Sequence, residues 1–270
     1  MTNNNEREPL AVAPSSAPAL RLQSVSRRFG GVEAVSDVTF DIAYGEHRVI
    51  LGPNGAGKST LFNLIAGEIR PTSGKIVLFN RDVTSLSPQY RARHGLTRTY
   101  QTTHLFGGLT TLDNLFLAVR GIAPWRMSMR RPGPKSEQLV KARQLATQVG
   151  LEAVLGRKVN TLSHGEHRQL ELGMALAGLP SPQAGFPRMM ILDEPAAGLS
   201  QSERIRLTEL ILGLDPTITV LLIEHDMDVA LQIAQFVTVM HNGRIIANGT
   251  PEEIRTNPVV HALYLGDHHA

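Results

Sequence analysis

Gly52, Gly55, Gly57, Lys58 and Ser59 stand in the spacing GxxxxGK[ST], within the stretch Val49 to Thr60, VILGPNGAGKST. Glycines let a backbone fold tightly enough for several N–H groups to face one anion, and a helix beginning near Lys58 adds the positive end of its dipole. A triphosphate suits such a cradle, with Lys58 reaching the β and γ phosphates and the Ser59 hydroxyl a ligand for Mg²⁺. Two carboxylates, Asp193 and Glu194, end the apolar run RMMILDE, and Glu224-His225 ends the β-branched run from Thr217. Ligands bind beyond the carboxyl ends of parallel strands, so Asp193 and Glu194 are expected where the glycine loop also ends. Neighbouring strand residues face opposite ways, so one carboxylate can hold Mg²⁺ through water while the other takes a different task. His225 is either an ordinary histidine or a group that reaches a γ phosphate. His164 and His167 stand three apart with no third ligand nearby, which argues against a metal site.

The loop is flanked by Val49 to Leu51 and by Leu61, Phe62, Leu64 and Ile65, the pattern strand, loop, helix. Leu20, Leu22 and Val25, then Val35, Val38, Phe40 and Ile42, alternate as two strands around a Gly30-Gly31 turn. Phe29 at that turn packs or stacks on a purine, and local grounds alone favour packing. Lys75 to Phe79 reads as a strand, Pro88 to His94 as a short helix, and Gly95 to Tyr100 as a strand ending at Gln101. Leu112, Leu115, Phe116 and Val119, then Leu139, Ala142, Leu145, Ala146 and Val149, recur at helical spacing and mark a helical insertion in a β/α chain. Between them the basic segment Pro124 to Lys135 reads as a solvated loop. Ser163, with Glu166 three residues on, forms a capping box before a helix carrying Leu170, Leu172 and Leu176. Gly178 to Pro187 reads as a surface loop, Gln201 to Leu214 as a helix, and Phe236 to Ala247 as a hairpin turning at Asn242-Gly243. Pro251 to Arg255 and Val259 to Leu265 read as short helices.

A chain of 270 residues with 42% hydrophobic content can bury a substantial core. No apolar run reaches the length that spans a bilayer, and the polar stretch Thr2 to Glu8 does not resemble a secretory signal, so a cytoplasmic location is expected. The absence of cysteine excludes disulfides and thiolate metal sites. A net charge of +3 without a stripe of basic and aromatic residues does not describe a nucleic-acid binder. Residues 9–19, almost all Ala, Pro, Ser and Val, are expected to complete a flexible tail over 1–19.

Five motifs in order carry a resemblance: LGPNGAGKST, Gln101, LSHGE from Leu162 to Glu166, MMILDE from Met189 to Glu194, and His225 in LLIEHDM. From about Leu20 to Leu265 the chain resembles the nucleotide-binding subunits of ABC transporters. RTYQTTHLF, LDEPAAGLS, IEHDMDVA and ANGTPEEIRTNP are similar to the LivG-type ATPases of branched-chain amino acid importers. The resemblance implies an α/β P-loop NTPase fold, one ABC-type nucleotide-binding domain over 20–270 with a mixed sheet core and a helical subdomain inserted at about 103–180. It implies ATP and Mg²⁺ as cofactors, with Phe29 stacking on adenine and Asn54, Gly55, Ala56, Gly57, Lys58, Ser59 and Thr60 around the phosphates. Ser59, Gln101 and Asp193 would organise the metal, Glu194 would polarise the attacking water, and His225 would steady the γ phosphate. Ser163 and Gly165 would contact ATP held by the opposite subunit of a head-to-tail dimer, formed with itself or with a paralogous ATPase.

The implied setting is the cytoplasmic face of the inner membrane, as a peripheral subunit of integral-membrane permease subunits supplied by a periplasmic binding protein. The segment Gln101 to Phe106 would wall the groove that receives a permease helix. Urea or amide importers and lipopolysaccharide export have similar ATPases and stand as alternatives, whereas soluble cassettes of translation or repair carry a second cassette or a long coiled coil. His164 and Glu166 replace the Gly and Gln of LSGGQ, Ser200 stands in place of the D-loop aspartate, and Pro180 to Phe186 lengthens a usual link.

Overall fold

The computed structural model describes residues 17–99, 105–121, 136–181 and 184–265. Gln101, most of the expected tail and the basic segment from Pro124 to Lys135 lie outside the described residues. The chain runs β1 (Leu20–Phe29), β2 (Val32–Ile42), β3 (His47–Leu51), α1 (Lys58–Ala66), β4 (Ser73–Leu78), β5 (Arg81–Asp82), α2 (Pro88–Arg93) and β6 (Leu96–Arg98). It continues through α3 (Thr111–Gly121), α4 (Glu137–Gln148), α5 (His164–Gly178), β7 (Arg188–Asp193), α6 (Gln201–Leu212) and β8 (Ile218–Glu224). It closes with α7 (Met227–Ile233), β9 (Phe236–His241), β10 (Arg244–Gly249), α8 (Pro251–Arg255) and α9 (Pro258–Leu265).

The strands form two sheets. One is antiparallel, in the order β2-β1-β4-β5; the other has the order β10-β9-β3-β8-β7-β6 and is parallel except where β10 folds back on β9. That last turn has positive φ at both Asn242 and Gly243, the geometry that suits a tight hairpin. β3, β7 and β8 are buried at every residue, as strands covered on both faces must be. Their period of two divides the core. Val49, Leu51, Met190, Leu192, Val220 and Leu222 join Leu115, Leu145, Leu170, Leu176 and Ile211 of the helices on one side. Ile50, Met189, Ile191, Leu221 and Ile223 face Leu61, Leu64 and Ile65 of α1 together with Leu22, Val38 and Ile76 of the antiparallel sheet. The first residues that end these strands at their carboxyl side therefore share one edge.

Ala19 and the sixth strand depart most from the sequence reading. Ala19 is fully buried; its N–H donates to Ile42 O at 2.7 Å and its carbonyl accepts from Phe79 N–H at 2.8 Å, so it continues the sheet rather than the tail. β6 is three residues long; Gly95 precedes it at a φ of +98° with its carbonyl accepting from Met189 N–H at 2.8 Å, and Thr99 N–H donates to Ile191 O at 3.0 Å.

Arg91 anchors α1 from below. It is 1% exposed, and its guanidinium donates to Leu64 O at 2.7 Å and Ile65 O at 2.6 Å, the last-turn carbonyls of α1, and to Val83 O. Burial pulls its pKa down to about 10, yet a cation at the carboxyl end of a helix complements the dipole and satisfies carbonyls with no helical partner. Arg91→Leu would leave Ile65 O in the core without its partner, while Leu64 O keeps the Gly67 N–H at 3.2 Å and Val83 O the Leu86 N–H at 3.0 Å. We expect a loss of about 1–3 kcal/mol in urea unfolding, the cost of one buried unpaired polar group; a loss below about 1 kcal/mol would mean that the site relaxes around the gap.

Candidate nucleotide site

Between β3 and α1 the loop turns through positive φ at Gly55 and Gly57. At Gly57 a Cβ would lie 2.3 Å from Ala34 O, so only glycine lets the loop pass the second strand and start α1 at Lys58. Asn54, Gly55 and Ser59 are exposed, Thr60 is half-buried and Ala56 is buried, its carbonyl accepting from Gly243 N–H at 3.0 Å. The Lys58 ammonium crosses the loop and donates to Gly52 O at 2.6 Å and Pro53 O at 2.9 Å. Burial lowers its pKa, while Glu194, Asp193 and Glu224 oppose that shift, which places three carboxylates around one cation.

The ends of β7 and β8 supply those carboxylates. Asp193 is 3% exposed; one oxygen meets Arg98 at 3.3 Å, and Arg98 is itself steered by Asn63 at 2.6 Å. The other oxygen, Oδ1, is buried with no hydrogen-bond partner among the described residues. An orphaned carboxylate oxygen at this edge suits a cation or its bound water. Desolvation raises the Asp193 pKa, and Arg98, Glu194 and Lys58 modify the shift in opposing directions. Glu194 follows in a left-handed conformation, φ +45°, with its carboxylate 3.8 Å from His225 Nδ1. Glu224 is 1% exposed, accepts from Ala196 N–H at 3.1 Å and is pushed up to about 7, mainly by burial.

Ser163 and Gly165 occupy a different position, at the start of α5. The Ser163 hydroxyl accepts from Glu166 N–H at 3.1 Å and the Glu166 carboxylate accepts from Ser163 N–H at 2.7 Å, the expected capping box. Gly165 N–H donates to Glu203 Oε1 at 3.0 Å, and a Cβ on Gly165 would meet that carboxylate at 2.5 Å. His164 Nε2 pairs with Ala197 O at 3.2 Å and His167 Nε2 with Val159 O at 2.7 Å. The hydrogen bonds of Ser163 and Gly165 thus go to Glu166 and Glu203 rather than to the glycine loop. Phe29 ends β1 with 45% of its surface exposed and the Arg27 guanidinium 4.5 Å from its ring centroid.

A family profile described as ABC transporter matches residues 35–197, more than half of the chain. The chain belongs to the ABC transporter ATP-binding family. A second profile, the branched-chain amino acid ATP-binding cassette transporter, matches residues 244–270 of the cassette. Among curated relatives, the high-affinity branched-chain amino acid transport ATP-binding protein LivG of Salmonella typhimurium is 37% identical, with 93% of this chain and 99% of the relative covered. BraF of Pseudomonas aeruginosa, of the same description, is 35% identical over 93% and 99%. The lipopolysaccharide export system ATP-binding protein LptB of Acidithiobacillus ferridurans is 33% identical over 92% and 97%. An ABC transporter cassette in its ADP conformation superposes with a TM-score of 0.80 at 29% identity, covering 93% of this chain and 100% of that one. A nucleotide-free cassette gives 0.77 at 31% identity, covering 91% and 98%. The cassette therefore has the P-loop NTPase fold of the ABC ATPases, binds nucleotide and is an ATPase subunit of a transporter.

Reasoning from sequence did not assign Arg98, Glu203 or Glu224. Only Glu224 left a local signal, a carboxyl group directly before His225 at a strand end. Ser200, singled out as a departure, is the N-cap of α6 in a capping box with Glu203.

Proposed function

We propose that this cassette hydrolyses ATP to drive an importer of branched-chain or other hydrophobic amino acids. The observation that carries this reading is the likeness to branched-chain amino acid transport ATPases along nearly the whole chain, joined by the separate match of residues 244–270. Its partners are integral-membrane permease subunits fed by a periplasmic binding protein, and it works at the cytoplasmic face of the inner membrane. Among the described residues no helix is long and apolar enough to cross a membrane. Phe106, 55% exposed beside half-buried Leu105, is available as part of the wall for a permease helix.

In this reading Lys58 and the loop from Asn54 to Thr60 hold the phosphates, and Phe29 stacks on adenine. Ser59, Asp193 and Gln101 hold Mg²⁺, which when bound spreads charge from the β and γ oxygens. Glu194 orients and deprotonates the attacking water, and His225 steadies the γ phosphate. Ser163 and Gly165 serve ATP bound to a second subunit, identical or paralogous, in a head-to-tail dimer. Gly165 N–H is held by Glu203 in the single chain, so dimer closure exchanges that carboxylate for a phosphate.

Uptake of radiolabelled leucine by cells lacking this chain tests the assignment. Uptake is expected to fall, to return with the wild-type chain, and to stay about 10²-fold lower with Lys58→Ala, the scale of losing one charge-stabilising donor. Unchanged leucine uptake with loss of urea uptake, or of lipopolysaccharide at the cell surface, would replace this reading by one of the alternatives.

A further inference from the structure

Glu194 sits at φ +45°, a conformation that costs a non-glycine residue energy and persists only where its surroundings impose it. Two bonds hang the turn that carries it on β8. Glu194 N–H donates to Ile223 O at 3.1 Å, and Ala196 N–H donates to Glu224 Oε1 at 3.1 Å; Ala197 N–H closes the turn on Glu194 O at 3.1 Å. The first bond uses a backbone carbonyl that any residue supplies. The second needs a side-chain acceptor of the right length, on the residue that pairs with Leu51, the last of β3 before the glycine loop. Glu224 is 1% exposed and its Oε2 has no hydrogen-bond partner among the described residues. A carboxyl group buried near a second carboxylate is an unfavourable core residue, so packing alone does not explain it.

We propose that Glu224 is a positioning residue for Glu194. By holding Ala196 N–H it fixes the turn after β7 against β8, and so sets the aim of the Glu194 carboxylate relative to His225 and the phosphates. The proposal rests on the reading of Glu194 as the group that activates water. Misplacement of a reacting group by about 1 Å costs on the order of 10²-fold in rate.

Three variants of the full chain test it, with kcat and ATP affinity measured on each. Glu224→Met keeps the volume and removes the acceptor, and kcat is expected to fall about 10- to 10²-fold with the ATP Kd within about twofold of wild type. Glu224→Asp keeps the acid but is one methylene too short, and is expected to fall similarly. Glu224→Gln restores an acceptor at the right distance and is expected to hold kcat within about threefold. Wild-type kcat in either Glu224→Met or Glu224→Asp would overturn the proposal, as would Glu224→Gln failing like Glu224→Met, or Kd worsening in step with kcat. If Glu224→Met does not fold, the Asp and Gln pair decides alone. Turnover by Glu194→Gln would remove the underlying reading, whereas an inactive Glu194→Gln beside a fully active Glu224→Met removes only this inference.

Discussion

Glu194→Gln is expected to lower ATP turnover by about 10²- to 10⁴-fold while leaving ATP binding intact, the scale of losing a general base. Gln keeps the volume of the side chain and a hydrogen-bonding oxygen, but it cannot take a proton from water. The glycine loop and α1, proposed above to hold the phosphates, follow the strand beyond β8, so the substitution leaves them in place. Electrostatics point the same way. Glu194 raises the pKa of both Asp193 and Glu224, and its charge stands near Lys58, so its removal lessens the negative charge an incoming triphosphate meets. ATP affinity should then match or exceed wild type, and the stalled ATP-bound chain should accumulate as a dimer in size-exclusion chromatography. Steady-state hydrolysis and equilibrium nucleotide binding, measured on the same preparation, check both halves. Hydrolysis within a few-fold of wild type would remove Glu194 from the mechanism.

What the sequence made legible was local or periodic. The glycine loop is one contiguous stretch whose conformation depends on its own residues, and α1 does begin at Lys58. The Ser163–Glu166 capping box spans four residues and could be read for the same reason. Strands β7 and β8 announced themselves as uninterrupted apolar runs because both their faces are covered. The resemblance to ABC ATPases needed only the order of five short motifs. Contacts between distant segments left no such trace. Arg98 meets Asp193 across 95 positions, Glu203 reaches Gly165 across 38, and Arg91 reaches Leu64 across 27. In each case the partner is chosen by which strand or helix lies alongside, and periodicity does not state that. Nothing in PQYRAR shows that carbonyls of another helix will surround Arg91.

Glu224 also sets a pH dependence of stability with a defined sign. Its carboxyl group titrates near its usual value of about 4.5 in the unfolded chain and at about 7 in the fold, because burial and the charges of Glu194 and Asp226 outweigh the N–H groups of Ala196 and His225. Below pH 4.5 both states hold the proton and the group contributes nothing to the difference. Between about 4.5 and 7 the unfolded chain releases the proton while the fold retains it, so stability falls as pH rises, by about 3 kcal/mol in total on an order-of-magnitude scale. Above 7 the loss is complete and constant. Glu224→Gln cannot ionise, so it is expected to melt above wild type at pH 8, by roughly 6–12 °C at about 2–4 °C per kcal/mol for a chain of this size. The gap should close as the pH approaches 4.5, and thermal melts across that range measure it. A gap that stays the same at pH 5 and pH 8 would show that Glu224 is not the titrating group. A gap that widens with pH would mean that this chain keeps, beside Glu194, an acid that costs it stability at neutral pH. Such a cost is the mark of a residue retained for what it positions rather than for how it packs.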